Sequence, residues 1–126
     1  MTTEKKDGCL CNAAPKLIFA CSGAADVGAI ADLAARKLTK DGAGKMFCLA
    51  GVGGRIAGIM KNTEAASKLL AIDGCPLNCV KACLEKAGFT AFEHLQLADL
   101  GMAKGSTEIS ELNIGKVVEA GAKRLA

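Results

Sequence analysis

Short runs of almost unbroken apolar residues alternate along this chain with stretches in which apolar residues recur every three or four positions. Residues 16–21 (KLIFAC), 46–50 (MFCLA) and 68–72 (KLLAI) are of the first kind. Runs of that length, apolar on both faces, suit strands buried within a parallel sheet. Residues 25–40 are of the second kind: Val27, Ile30, Leu33, Ala34 and Leu38 share a helical side, with Asp26 near the start and Arg36, Lys37 and Lys40 near the end. That charge order complements a helix dipole. Ser22 is a candidate N-cap, and Asp41-Gly42-Ala43-Gly44 stops the helix.

After the second apolar run comes a glycine loop, Gly51-Val52-Gly53-Gly54, and then a helix expected through Arg55, Ile56, Ile59 and Met60 that breaks within residues 62–66. Pro76 as a first helical residue and Gly88 as a stop predict a helix over residues 76–86. Residues 90–97 alternate as an edge strand does, and residues 114–126 complete the pattern as a helix. Strand and helix thus alternate four times. The pattern predicts an α/β fold: a single three-layer, Rossmann-like domain over residues 15–126 with a mostly parallel four-stranded sheet, preceded by a flexible N-terminal tail, residues 1–14. At 126 residues the chain is long enough for one sizeable core.

Composition narrows the function classes. Four Phe, no Trp and no Tyr leave little for stacking bases. A net charge of +3 with scattered Lys and Arg argues against nucleic acid as a partner. No run is long enough to span a membrane, and the apolar stretch near the start is too short for a signal-peptide core. A cytoplasmic location is expected. There thiols stay reduced, so the seven cysteines point to metal binding or thiol chemistry rather than disulfides.

The apolar runs place these cysteines. Cys21 closes the first, Cys48 lies late in the second, Cys75 follows the third, and Cys79 is four residues further on. Ligands of open α/β sheets bind outside the carboxyl ends of the strands, so these thiols are expected to converge there. Four thiols at one edge match a tetrahedral Zn²⁺ site. The turn of residues 73–79 is expected to put Cys75 and Cys79 at a helix N-terminus, where a thiolate is stabilised. Against this stands the plain reading that cysteine is at home in buried strands, which weighs most for Cys48. Cys83 reads as a small core residue. Cys9 and Cys11 read as free thiols of the tail, or as soft ligands folding over the site. Residues 51–55 read as a tight turn before an anion cradle. Asp73 is expected to cap the turn or accept a hydrogen bond beside a metal. His94, the one histidine, is expected on an edge strand and not as a ligand.

Cys21-Ser22-Gly23, Cys48, the run Asp73-Gly74-Cys75-Pro76-Leu77-Asn78-Cys79, Glu85-Lys86-Ala87-Gly88 and the step Asp99-Leu100-Gly101 together resemble the DGC-domain proteins. That family is named for its Asp-Gly-Cys signature and described as zinc-binding. The resemblance covers most of the chain from Pro15 onward. It implies that Cys21, Cys48, Cys75 and Cys79 are the zinc ligands, and it brings no reaction with it. The expected function is a zinc-binding protein, its metal held by four thiolates at the carboxyl edge of the sheet. The alternative is a thiol-dependent redox or sulfur-handling enzyme, with Cys75 as a low-pKa nucleophile and Cys79 or Cys21 as resolving thiol. The chain has no C-x-x-C step to support a thioredoxin-like version. A closed four-thiolate shell argues against hydrolysis at the metal.

Overall fold

A computed structural model describes residues 14–126. Cys9, Cys11 and all but the last residue of the expected tail lie outside the described residues. Four strands form one sheet: β1 (Lys16–Ala20), β2 (Lys45–Met46), β3 (Lys68–Asp73) and β4 (Glu93–Gln96). All neighbouring pairs are parallel, in the order β2-β1-β3-β4. Five α-helices connect or follow them: α1 (Asp26–Lys40), α2 (Leu49–Gly53), α3 (Ala57–Ala65), α4 (Cys79–Lys86) and α5 (Glu111–Leu125), with a 3₁₀ turn over Leu97–Leu100. The chain first steps from β1 outward to β2, then returns past β1 to β3. That reversal makes the gap between β1 and β3 a topological switch point.

The strands sort their side chains with period two. Ile18, Ala20, Leu70 and Ile72 enter one core with Val27, Ile30 and Leu38 of α1 and Val117 and Leu125 of α5. Leu17, Phe19, Leu69 and Ala71 enter a second core with Val52 of α2 and Val80 and Leu84 of α4. The sheet is therefore covered on both faces, as a parallel sheet requires.

Several expected features shift. The second strand is only two residues long, because Phe47 leaves the ladder after bonding Ile18 O and Cys48 becomes the N-cap of α2. Its thiol accepts the Gly51 N–H at 3.4 Å. The expected glycine loop is helical through Gly53, and Gly51 is needed there because a Cβ would stand 2.7 Å from the Ile59 side chain. The helix after Pro76 begins only at Cys79, since Asn78 takes a left-handed conformation (φ 55°). Ser22, also left-handed at φ 53°, donates its hydroxyl to Asp32 while Ala25 occupies the N-cap of α1. The break expected within residues 62–66 comes at the far end of that range: Thr63 bonds back to Ile59 O, and the helix runs to Ala65 with Ala66 as its C-cap.

The start of α1 is pressed against the loops after β1 and β3. A Cβ on Gly74 would lie 2.7 Å from the carbonyl of Val27, and one on Gly28 would lie 2.7 Å from the carbonyl oxygen of Gly23. Backbone meets backbone at both places, so no side chain can yield. Gly74→Ala should therefore cost about 1–3 kcal/mol by overpacking. Gly58→Ala, with open space around it in α3, should stabilise by about 0.5–1 kcal/mol. Urea unfolding of the two variants tests the contrast.

At the same end, Asp26 ties down the loop before α5. Its carboxylate accepts the N–H groups of Gly105 and Thr107 as well as that of Val27. The bonds from Gly105 and Thr107 hold this carboxyl below its ordinary range. The contribution is full above the unfolded-state pKa and is lost as pH falls through the lower folded-state value. Hydrogen exchange should show Gly105 and Thr107 protected near neutrality and losing protection below the ordinary carboxylate range. Asp26→Asn should weaken that protection at neutral pH and flatten its acid dependence.

Candidate functional site

The described cysteines follow the carboxyl ends of the strands or lie in α4, which starts at that edge. Cys21 directly follows β1, and its sulfur accepts the Gly74 N–H from the loop after β3 at 3.3 Å. This bond spans the switch point and couples the first cysteine to the Asp-Gly-Cys segment. Cys48 caps α2 from the loop after β2. Both sulfurs thus receive a backbone N–H.

The segment from Asp73 to Cys79 is organised by the carboxylate of Asp73. That residue ends the central strand β3 and is 1% exposed. One oxygen accepts the N–H of Val80 at 2.8 Å and the other that of Lys81 at 3.1 Å. These are orphan donors of the first turn of α4, which Asn78 does not cap with its own side chain. A third partner, His94 Nε2, lies 2.8 Å from the carboxylate. The expected turn-capping role of Asp73 holds in this longer-range form. His94 is on the edge strand as expected and acts as the partner of Asp73.

Cys75 sits in the turn before the helix, where its carbonyl accepts the Asn78 N–H and the Gln96 amide. Gln96 also bonds the Asn78 side chain at 2.6 Å, so the end of β4 pins the turn. Cys75 is therefore not a helix cap, and its pairing with Cys79 on one helix face does not occur. Cys79 is the first residue of α4 and is exposed. The helix face it shares is with Cys83, one turn later. The first-turn amides of Val80 and Lys81 are held by Asp73.

Cys83 is half-buried, and burial pushes its thiol pKa up, with the charge of Arg55 acting in the opposite direction. Arg55 itself is a fastener. In a left-handed conformation it donates to Val52 O and Gly53 O at the end of α2 and to Lys86 O at the end of α4. Residues 51–55 thus form a helix end with its cation at carbonyls, and not an anion cradle.

A cavity of about 560 Å³ opens beside β1 at this edge, lined by Cys21, Ser22, Asp32, Arg36, Phe47 and Cys83 among others. At its rim, Asp32 lies between Ser22 and Arg36. Partial burial opposes its charge, but hydrogen bonds from Arg36 and Ser22 hold the carboxyl below its usual range. A larger groove, about 670 Å³, lies at the opposite end of the sheet near Met60, Lys68 and Phe89 and contains no cysteine. Of the five described cysteines, Cys21 and Cys83 line the smaller cavity.

The donor chemistry fits a soft metal ion. All five described cysteines are free thiols, and two of their sulfurs already accept N–H bonds. Their spacing is open: among the described residues, no three His, Cys, Asp or Glu side chains are gathered closely enough to hold a metal ion. Sequence reasoning missed Gln96 and the bond between His94 and Asp73. The signal for both was the β3–β4 register, which sets Asp73 beside Gln96 and Ala71 beside His94 on one sheet face.

Known proteins bear on this arrangement. The DGC domain profile matches residues 17–120, nearly the whole described fold. The anaerobic and virulence modulator AnvM of Pseudomonas aeruginosa is 38% identical over 88 residues, covering 70% of this chain and 67% of that protein. No solved structure matches. No helix among the described residues is long and apolar enough to cross a membrane.

Removing the Asp73 carboxylate should leave the buried Val80 donor, the half-buried Lys81 donor and His94 without this partner. Asp73→Ala should cost about 3 kcal/mol, in line with breaking a buried charged network. Amide exchange at Val80 and Lys81 should accelerate more than that in α5.

Proposed function

The chain belongs to the DGC-domain family, and within it we propose that this protein is a zinc-binding module. Its cysteines Cys21, Cys48, Cys75 and Cys79 hold the ion at the carboxyl edge of the sheet. The observation that carries the reading is the bond from Gly74 N–H to the Cys21 sulfur across the switch point. It joins the two segments from which three of the four ligands come. Cys48, with its own N–H donor from Gly51, enters from the third.

The described thiols do not stand in a finished tetrahedron. Binding is therefore coupled to closure of the loops after β1, β2 and β3 on the metal, as is common where a site is completed by its ion. Zn²⁺ supplies no redox chemistry, and a full thiolate shell leaves no open position for water. Four thiolates on one Zn²⁺ leave a charge of −2, which the N–H groups of Gly74 and Gly51 offset in part. The role best suited to this shell is structural or regulatory, in a reducing cytoplasmic setting. Similarity to a protein named as a modulator agrees with regulation rather than catalysis.

The test is metal content per chain followed by substitution with Co²⁺. Intense thiolate-to-cobalt bands should appear and be displaced by Zn²⁺. Cys21→Ser or Cys79→Ser should weaken Co²⁺ binding by more than about 100-fold, beyond the usual cost of losing an outer partner. A metal-free protein that shows no cobalt–thiolate band at stoichiometric Co²⁺ would refute the proposal.

A further inference from the structure

We infer that the cavity beside β1 binds a small carboxylate with an apolar body. The inference goes beyond the metal-binding reading and uses no thiol, so either can stand without the other.

The site exists because β2 ends early. Alternate residues of a strand in a parallel sheet turn their backbone groups toward opposite neighbours. On β1's far side, the Cys21 N–H bonds Ile72 O of β3, whereas the carbonyl of Ile18 accepts the Phe47 N–H on the β2 side. Ala20, two residues after Ile18, therefore also turns its N–H toward the β2 side, but β2 has stopped at Met46. Among the described residues, nothing accepts the Ala20 N–H. Ala20 is 4% exposed, and an unpaired backbone donor at such depth is rare and costly. Ala20 lines the cavity, so an acceptor placed there would complete the interrupted edge of β1.

A second set of donors meets the same space. Arg36 donates through Nε to Asp32 at 2.7 Å, and among the described residues nothing accepts from its two terminal amino groups. That bond holds the guanidinium at the rim and leaves free the flat end that pairs well with a carboxylate. Asp32 does not reverse the preference: Ser22 and Arg36 each bond one of its oxygens, and the ion pair carries no net charge. Ser22 joins the two parts of the site, its hydroxyl lying 3.4 Å from Ala20 O and 2.7 Å from Asp32. Met46, Phe47 and Leu49 supply apolar wall. The volume of about 560 Å³ lies within the usual range of ligand clefts, ~300–1,000 Å³. Free donors beside apolar side chains select a ligand with an acceptor head and an apolar body.

The probe is phenylpropanoate, titrated into the isotope-labelled full chain and followed by amide resonances. Phenylpropanol and phenylpropylamine carry a neutral and a cationic head on the same body. The carboxylate should bind in the millimolar range and move the Ala20 and Ser22 amide signals. The alcohol and the amine should bind at least about 10-fold more weakly, the worth of a charge-assisted hydrogen bond. Arg36→Gln, a change at an exposed side chain, should weaken the carboxylate by about the same factor. In the free chain, the Ala20 amide should exchange with deuterium faster than those of Phe19 and Cys21, and the carboxylate should slow it. Equal binding of the three heads, shifts confined to residues away from the cavity, or wild-type affinity in Arg36→Gln would overturn the inference. An Ala20 amide as protected in the free chain as its neighbours would do the same.

Discussion

The buried carboxylate of Asp73 is the interaction on which the carboxyl edge of this fold depends. It sits at the end of the central strand, where a charge is costly unless fully partnered. Two N–H groups of α4 and the imidazole of His94 supply those partners. The consequence is structural first. The start of α4 is fastened to β3 and β4 together, so the five residues between Asp73 and Cys79 must form a tight, defined loop. Gln96 then holds that loop from the other side.

The same interaction changes the electrostatics of the thiols. A helix N-terminus attracts negative charge because its first amides lack partners. In α4 those amides are already bonded to a carboxylate, so the helix offers less to a nearby thiolate. The backbone donors that do reach sulfur come from loops: Gly74 to Cys21 and Gly51 to Cys48. The backbone contacts to sulfur thus lie at the ends of β1 and β2 and not at the start of α4.

Close backbone contact sets the geometry of this edge. Gly74 meets the carbonyl of Val27, and Gly28 meets Gly23, so the first turn of α1 lies directly on the loops after β1 and β3. Helix α1 thus presses those two loops together from the α1–α5 side. The cavity beside β1 is lined by Asp32 and Arg36 of α1, by α2 and by Cys83 of α4. Cys75 and Cys83, both near the Asp-Gly-Cys signature in sequence, pack against the cores on opposite faces of the sheet.

The apolar runs and helical periodicities of the chain determined by themselves the alternation of elements, the parallel sheet and the sheet edge at which Cys21, Cys48 and Cys75 follow their strands. These follow from local rules: period two for buried strands, period 3.6 for helices, and strand direction for the location of ends. The shortness of β2, the late start of α4 and the partners of Asp73 were not legible in this way. Each depends on what a distant segment brings. Phe47 leaves the ladder after its one bond to β1, and the α4 amides are satisfied by a residue on a strand instead of by their own cap. Cys83 is the sharpest case. Spacing alone made it one more apolar residue of a helix, but only tertiary packing decides which face of the sheet a sulfur meets and whether a neighbouring glycine leaves it open.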